Sequence, residues 1–226
     1  MLKTVALLLA LNFFAYAHTE PTILHGLSVE IEYKTPDGKV KKTTISRDTD
    51  LRCREIPFNA REYWDGDYAS GDVAGICKKS FITSAGKISP MQIEKGLETY
   101  GELEVLEFLE DMQDDINLLF VDSRKEGWFK SLSIPSAINI PFSHVTVPKN
   151  AALKKEVLKR FGVKGEKGGY DFSEAKTVLF FCNGVWCRQS PQMIEELLSL
   201  GYPAKKMKWY RGGMQSWLSL GMTATR

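Results

Sequence analysis

The chain has 226 residues, a formal net charge of +2 at pH 7 and an apolar fraction of 43%. This near balance of charge gives no argument for binding to nucleic acid or to an anionic membrane surface, and we expect neither as a partner. The length allows one large domain, or one domain with an extension.

Residues 1–17 have the pattern of a secretory signal peptide. Lys3 precedes an apolar run from Val5 to Phe14, and small residues stand at Ala15 and Ala17. This order is typical of an A-x-A cleavage site, and the apolar run is too short to span a bilayer comfortably. We expect cleavage after Ala17 and an exported mature protein without a membrane segment, located in the periplasm if the source is bacterial.

Four cysteines must then be placed in an oxidising compartment: Cys53, Cys77, Cys182 and Cys187. Four cysteines allow three full pairings, and the simplest expectation is a structural Cys53–Cys77 disulfide. The other two cysteines would then be reserved for chemistry. The spacings lack the C-x2-C pairs of common zinc sites, so we expect neither a metal nor another cofactor.

Residues 18–88 are interpreted as an N-terminal extension. Alternating residues from Leu27 to Ser46, with a turn at Pro36, Asp37 and Gly38, predict a β-hairpin. The stretch from Asp48 to Ser89 is irregular. Its Asp and Gly residues lack the spacing of a calcium-binding loop and indicate a solvated loop.

Residues 89–226 are interpreted as an α/β domain with its core at 118–223. Ser89-Pro90 predicts the start of a helical segment that runs to about Gln113, with a break near Gly101. Beyond it, apolar runs alternate with helical patterns. The predicted strands are 118–121, 137–140, 177–181 and 207–210, and the predicted helices are 151–162, 190–201 and 214–220. Such alternation indicates a parallel sheet with helices on both faces.

The loop Cys182–Arg188 follows one of these strands and precedes a helix, for which Ser190 is the predicted cap. Backbone N–H groups and the helix dipole converge at such a position. Gly184 permits close approach of the backbone, and Arg188 adds a planar cation. We therefore expect a lowered pKa for the Cys182 thiol and a nucleophilic role for it.

From about Leu118 to Thr223 the chain resembles a rhodanese domain. Four segments carry the resemblance in the family's order: VDSR at 121–124, SIPSAINIP at 133–141, FCNGVWCRQS at 181–190 and WYRGGMQSWLSLGM at 209–222. The family's usual Gly and His are replaced here by Leu132 and Ser133. The resemblance implies a rhodanese-like parallel sheet and a sulfurtransferase that carries sulfur as a persulfide.

The resemblance also implies roles for individual residues. Cys182 would take sulfur from a donor such as thiosulfate and pass it to a thiol or to cyanide, and Arg188 would hold the anionic donor. The substrate-binding loop would consist of Asn183, Gly184, Val185, Trp186 and Cys187. Asp122 and Arg124 would pair within the structure near the site.

The loop departs from the family pattern, and this leaves alternatives open. Five residues rather than four separate Cys182 from Arg188, as in related phosphatases and arsenate reductases, although Phe181 stands where those enzymes have a histidine. Cys187 could act as a resolving thiol, which would make the chain a thiol redox protein with a redox partner. A non-catalytic binding module is the remaining alternative.

Overall fold

The computed structural model describes residues 28–35, 37–46, 88–165 and 169–225. The predicted signal peptide, Cys53 and Cys77 lie outside the described residues. The strands within these ranges are β1 Ser28–Lys34, β2 Val40–Ser46, β3 Glu98–Tyr100, β4 Leu118–Asp122, β5 Ile138–Asn139, β6 Thr177–Phe181 and β7 Met207–Tyr210. The α-helices are α1 Glu102–Asp111, α2 Glu126–Ser131, α3 Ser143–Thr146, α4 Ala151–Arg160, α5 Gln189–Ser199 and α6 Gly213–Ser219. Within the described ranges, no helix combines the length and the apolar character needed to cross a bilayer.

A parallel sheet with strand order β3-β7-β6-β4-β5 forms the centre of the domain. β6 pairs in parallel with β4 on one side and with β7 on the other, so it is the middle strand. Its residues Val178 to Phe181 are all fully buried, as expected for a strand covered on both faces. The predicted fold class, a parallel sheet with helices, is confirmed.

Helices cover both faces of this sheet, and alternate residues of β6 belong to different cores. Val178 and Phe180 pack with apolar residues of α3, α4 and α5 on one face. Leu179 and Phe181 pack with α1 and α6 on the other face. The α4 and α5 helices are followed by Gly162 and Gly201, whose φ angles of 79° and 96° let the chain leave each helix and return to the sheet.

The predicted hairpin is also confirmed. β1 and β2 pair antiparallel in register from Ser28↔Ser46 to Lys34↔Val40. Ile31 and Ile45 are buried in the same core as α1 and α6. The Thr223 amide donates to the Ser46 carbonyl oxygen at 2.9 Å. The hairpin therefore covers the outside of the α1–α6 face.

The predicted helix after Ser89-Pro90 is wrong in its first half. Residues 88–97 are irregular, and Glu98–Tyr100 form β3 at the edge of the sheet, paired with β7. Gly96, at φ 85°, breaks the chain direction just before this strand. The backbone hydrogen bonds to β7 stabilise the strand more than the local helix propensity of these residues stabilises a helix. The second half of the prediction is confirmed by α1.

The predicted cap of the helix after the cysteine loop is displaced. α5 begins at Gln189, and Arg188 occupies the N-cap position. Ser190 is therefore inside the first turn, where its side chain is fully buried. This shift brings the start of the helix directly against Cys187.

Candidate active site

The cysteine loop lies beyond the carboxyl end of the central strand. Cys182 is the first residue after β6, and α5 begins seven residues later at Gln189. The carboxyl ends of parallel strands are where α/β sheets usually place a ligand site. The fold thus presents the loop where the sequence predicted it.

The neighbouring chain holds the loop by its backbone. Three amides outside the loop donate to loop carbonyl oxygens: Met214 to Cys182 at 3.0 Å, Gln215 to Asn183 at 2.9 Å and Ser89 to Val185 at 2.7 Å. Within the loop, the Cys187 amide donates to the Gly184 oxygen at 2.9 Å. This last bond closes the loop and brings its first and last cysteines together. The sequence does not predict the contact from Ser89, because the pattern after Ser89-Pro90 favours a helix there.

The backbone of α6 lies close to the loop at Gly213. The φ of this glycine is 55°, and a Cβ built there would lie 2.3 Å from the Cys182 carbonyl oxygen and 2.9 Å from the Gly184 nitrogen. Both are backbone atoms that cannot rotate away. The absence of a side chain at Gly213 is therefore a condition for the observed loop position.

Gly213→Ala is predicted to destabilise the protein by at least about 2 kcal/mol, because it adds an overpacked contact to a strained φ. Gly127→Ala is the matched control, because the space around that position in α2 is open. A helical Gly→Ala change is usually neutral or stabilising. Chemical unfolding of both variants measures the difference. Equal free energies of unfolding for the two variants would contradict the described packing.

The two cysteine sulfurs face each other inside the loop. Both residues are free thiols, 2% exposed for Cys182 and 4% for Cys187. The Cys182 Sγ lies 3.5 Å from the Cys187 carbonyl oxygen. The Asn183 side-chain amide donates toward the Cys187 Sγ at 3.8 Å.

The pKa values of the two thiols are shifted in opposite directions. Burial raises the pKa of Cys182 well above its ordinary value, and the adjacent Cys187 raises it further. The pKa of Cys187 is lowered to about 6, first because the Cys182 thiol donates to its sulfur, and then because amides of Asn183 and Gln189 point at it. The expected lowering of the Cys182 pKa is therefore wrong for the reduced loop. Cys187 instead lies at the N-terminal end of α5, where the helix dipole and the nearby amides favour its thiolate.

A buried ion pair positions Asn183. Arg124 and Asp122 are 3% and 0% exposed, and the guanidinium contacts the carboxylate through Nε at 2.9 Å and a terminal nitrogen at 2.6 Å. The other terminal nitrogen of Arg124 donates to the Asn183 Oδ1 at 3.3 Å. The predicted pairing of Asp122 with Arg124 is confirmed, and a chain of contacts leads from it to the Cys187 sulfur.

Sequence reasoning missed two further members of this network. Ser133 donates its hydroxyl to Asp122 at 2.8 Å. Asn139 donates its side-chain amide to the backbone oxygens of Asp122 and Arg124 at 3.0 and 2.8 Å. Ser133 stands where the rhodanese pattern has a histidine. This departure from the pattern was the signal that could have pointed to Ser133.

Arg188 and Trp186 point away from the two sulfurs toward other partners. The Arg188 side chain is 51% exposed and forms an ion pair with Glu195 at 2.7 Å. The Trp186 Nε1 donates to the Gln215 Oε1 at 2.9 Å, which ties the loop to α6. Val185 is half-buried at the loop apex. The structure therefore gathers Cys182, Asn183 and Cys187 into one cluster and places Arg188 at its edge.

Ser190 is an additional polar group in this cluster. Its Oγ is fully buried and has no partner of ordinary hydrogen-bond geometry within the described residues. It nevertheless lies close enough to Cys182 to lower the pKa of that thiol, whereas burial raises this pKa by more. A buried hydroxyl beside a sulfur can donate to whatever charge develops there.

Comparisons with known proteins identify the family of this domain. Residues 105–220, just over half of the chain, match the family model of the Rhodanese-like domain. Similar solved structures include a human single-domain sulfurtransferase, with 22% identity, a TM-score of 0.37 and coverage of 53% of this chain and 94% of that one. A Saccharomyces cerevisiae single-domain sulfurtransferase has 23% identity, a TM-score of 0.38 and coverage of 55% and 91%. A Rhodopseudomonas palustris protein described as a possible tyrosine phosphatase has 15% identity, a TM-score of 0.38 and coverage of 59% and 88%. A search of curated proteins found no match. The match over 105–220 shows that the chain belongs to the Rhodanese-like domain family.

Proposed function

We propose that the protein is a sulfurtransferase that carries sulfur as a persulfide on Cys182. The Cys182 thiolate attacks the outer sulfur of thiosulfate, a sulfur–sulfur bond to the enzyme forms, and sulfite leaves with the electron pair of the broken bond. An acceptor thiol or cyanide then takes the outer sulfur and restores Cys182. The observation that carries this proposal is a cysteine at the end of the central strand, in a loop where the Ser190 amide points to the Cys182 sulfur and the Asn183 and Gln189 amides point to the Cys187 sulfur.

The buried Cys182 must lose its proton before it attacks the donor, and Cys187 is the nearby group that can accept this proton. Cys182 is the protonated member of the pair, since burial raises its pKa. The Cys187 sulfur is its hydrogen-bonding neighbour, and the pKa of Cys187 is lowered to about 6, which favours the thiolate at neutral pH. Cys187 therefore acts as general base when Cys182 attacks the donor.

The pH dependence of persulfide formation follows from this pair. Below a pH of about 6 Cys187 is protonated and cannot accept the proton, so the rate of sulfite release should fall as the pH decreases and level off above that value. In Cys187→Ser the acid limb should move to higher pH, because Cys182 must then ionise alone in a buried site. Rapid-quench measurement of the first sulfite released gives both profiles. An acid limb at the same pH in the variant would remove Cys187 from this role.

Arg188 is proposed to bind the anionic donor at the mouth of the loop. To do so it must leave Glu195, its partner at 2.7 Å. Arg188→Ala should raise the KM for thiosulfate by about 3- to 10-fold. Arg188→Lys should reverse only part of this increase, since an ammonium group lacks the planar set of N–H donors of a guanidinium. Glu195→Ala is the matched variant and should lower the KM, because it frees the guanidinium. An unchanged KM in all three would mean that the loop amides alone bind the donor.

Parallel activity assays separate this proposal from the alternatives for the same loop. Thiosulfate-dependent transfer to cyanide and to a dithiol should be measured beside hydrolysis of an aryl phosphate and reduction of arsenate. We expect sulfur transfer alone. Phosphate-ester hydrolysis without sulfur transfer would assign a phosphatase, and the absence of all activities in a folded protein would assign a binding module.

We also propose a location and domain limits for the protein, both from its sequence. Export to the periplasm is supported by the sequence of residues 1–17, and a Cys53–Cys77 disulfide by the oxidising conditions that export implies. The division into an extension at 18–88 and a domain at 89–226 likewise rests on sequence pattern. Partners of the mature protein would be a small sulfur donor and a thiol acceptor or redox partner.

A further inference from the structure

The cysteine loop contains a second sulfur placed to react with the first. The backbone bond from the Cys187 amide to the Gly184 oxygen closes the loop, and the Cys182 sulfur lies 3.5 Å from the Cys187 carbonyl oxygen. Both sulfurs are almost completely shielded from solvent. An additional sulfur atom on Cys182 must therefore be held in the same small space as the Cys187 sulfur.

Cys187 is aimed at this position by polar contacts, which a cysteine that only fills space does not need. Asn183 donates to its sulfur, and Asn183 is itself held by the buried Arg124 at 3.3 Å. The start of α5 adds a second donor, the Gln189 amide. Such donors stabilise a thiolate, the form of cysteine that attacks a persulfide.

We infer that Cys187 resolves the Cys182 persulfide, which releases hydrosulfide and leaves a Cys182–Cys187 disulfide. This inference rests on the proposed sulfurtransferase function and names its first acceptor. The Cys187 thiolate attacks the inner sulfur of Cys182–S–SH, a bond between the two cysteine sulfurs forms, and the outer sulfur leaves as HS⁻ with the electron pair of the broken bond. The two cysteines are oxidised and the transferred sulfur is reduced, so this step needs no external oxidant.

A dithiol is then required to restore the loop. A first thiolate of the dithiol attacks the loop disulfide, and its second thiol displaces the remaining protein sulfur. The dithiol leaves as a disulfide, and both loop cysteines are reduced. Overall, thiosulfate and a dithiol give sulfite, hydrosulfide and an oxidised dithiol. Cyanide does not replace the dithiol efficiently, because it competes with an intramolecular attack by a sulfur already in place.

A single tryptic peptide reports every state of the loop. Neither Lys nor Arg lies between Lys176 and Arg188, so both cysteines remain in the peptide Thr177–Arg188. A persulfide makes this peptide heavier by one sulfur atom, and a loop disulfide makes it lighter by two hydrogen atoms. Cys53 and Cys77 lie outside it and do not affect the result.

The experiment is a single turnover of the reduced full chain with one equivalent of thiosulfate and no acceptor. It is run without oxygen at about pH 8.5, where a thiol of ordinary pKa is half ionised. For the wild type we expect sulfite and hydrosulfide in equal amounts and a peptide lighter by two hydrogens, with further turnover only after a dithiol is added. For Cys187→Ser we expect sulfite without hydrosulfide and a peptide heavier by one sulfur.

The outcomes separate the inference from the proposed function. A wild-type protein that releases sulfite and retains a stable persulfide would overturn the inference and leave the sulfurtransferase proposal intact. No sulfite from either protein would remove the sulfurtransferase proposal. The wild-type peptide mass decides the inference by itself, so a poorly folded Cys187→Ser variant does not prevent the test.

Discussion

Cys182→Ser should lower thiosulfate-dependent sulfur transfer by more than about 1,000-fold, because the loss of a nucleophile removes the covalent route itself. A serine hydroxyl cannot form a persulfide, and its much higher pKa makes it a poor nucleophile at neutral pH. The fold should be retained, since serine is close to cysteine in size. The Ser190 hydroxyl, already buried beside position 182, can exchange a hydrogen bond with the new one.

The control for this variant removes a cysteine outside the loop. Cys53→Ser should keep sulfur transfer near the wild-type rate when both proteins are assayed under reducing conditions. Circular dichroism and chemical unfolding establish that each variant is folded. If Cys182→Ser retained more than about a tenth of the activity, as a merely supporting residue would allow, the nucleophile would have to be sought elsewhere.

Arg124→Ala should lower the free energy of unfolding by about 3 to 5 kcal/mol, the usual cost of breaking a buried ion pair from one side. The carboxylate of Asp122 is fully buried, and among the described residues it would keep as donors the Ser133 hydroxyl and the backbone amide of residue 124. Asn183 would lose its anchor at the same time. The loss of stability should therefore be accompanied by a less ordered cysteine loop.

Arg188→Ala is the matched control for this prediction. It also removes an arginine from an ion pair, but the Arg188 side chain is 51% exposed, and such pairs contribute little. Its free energy of unfolding should stay within about 0.5 kcal/mol of the wild type. Urea unfolding of both variants gives the comparison. If Arg124→Ala and Arg188→Ala lowered the free energy of unfolding equally, the ion pair of Arg124 would not be a buried anchor of the loop.

The strands β4 to β7, the hairpin and the position of the loop could be predicted because their signals are local. Apolar runs such as 177–181 favour buried strands wherever they pack, and Gly162 and Gly201 end helices through their own backbone conformation. The segment after Ser89 could not be predicted in this way. Its Ser-Pro start is typical of a helix, whereas its actual conformation depends on β7, more than a hundred residues later in the chain.

The charge distribution in the site was predictable only in part. The sequence predicts a cysteine near a helix N-terminus, and it predicts that Cys182 is the thiol with the lowered pKa. The lowered pKa belongs to Cys187 instead, first because of the Cys182 thiol and then because the start of α5 and the Asn183 amide point to its sulfur. Side-chain directions within a short loop have no sequence signature, and the same holds for the contact between Arg188 and Glu195.

Cys182 should carry the transferred sulfur, and fragment masses of the peptide Thr177–Arg188 can identify the cysteine that holds it. The reduced protein is mixed with thiosulfate whose outer sulfur is isotopically labelled, quenched rapidly in acid and digested, with Cys187→Ser treated in parallel. Fragments that break between residues 182 and 187 show which cysteine holds the label. We expect one labelled sulfur on Cys182, early in the wild type and lastingly in Cys187→Ser. Label on Cys187 alone, or no label in a protein that turns over thiosulfate, would contradict the claim.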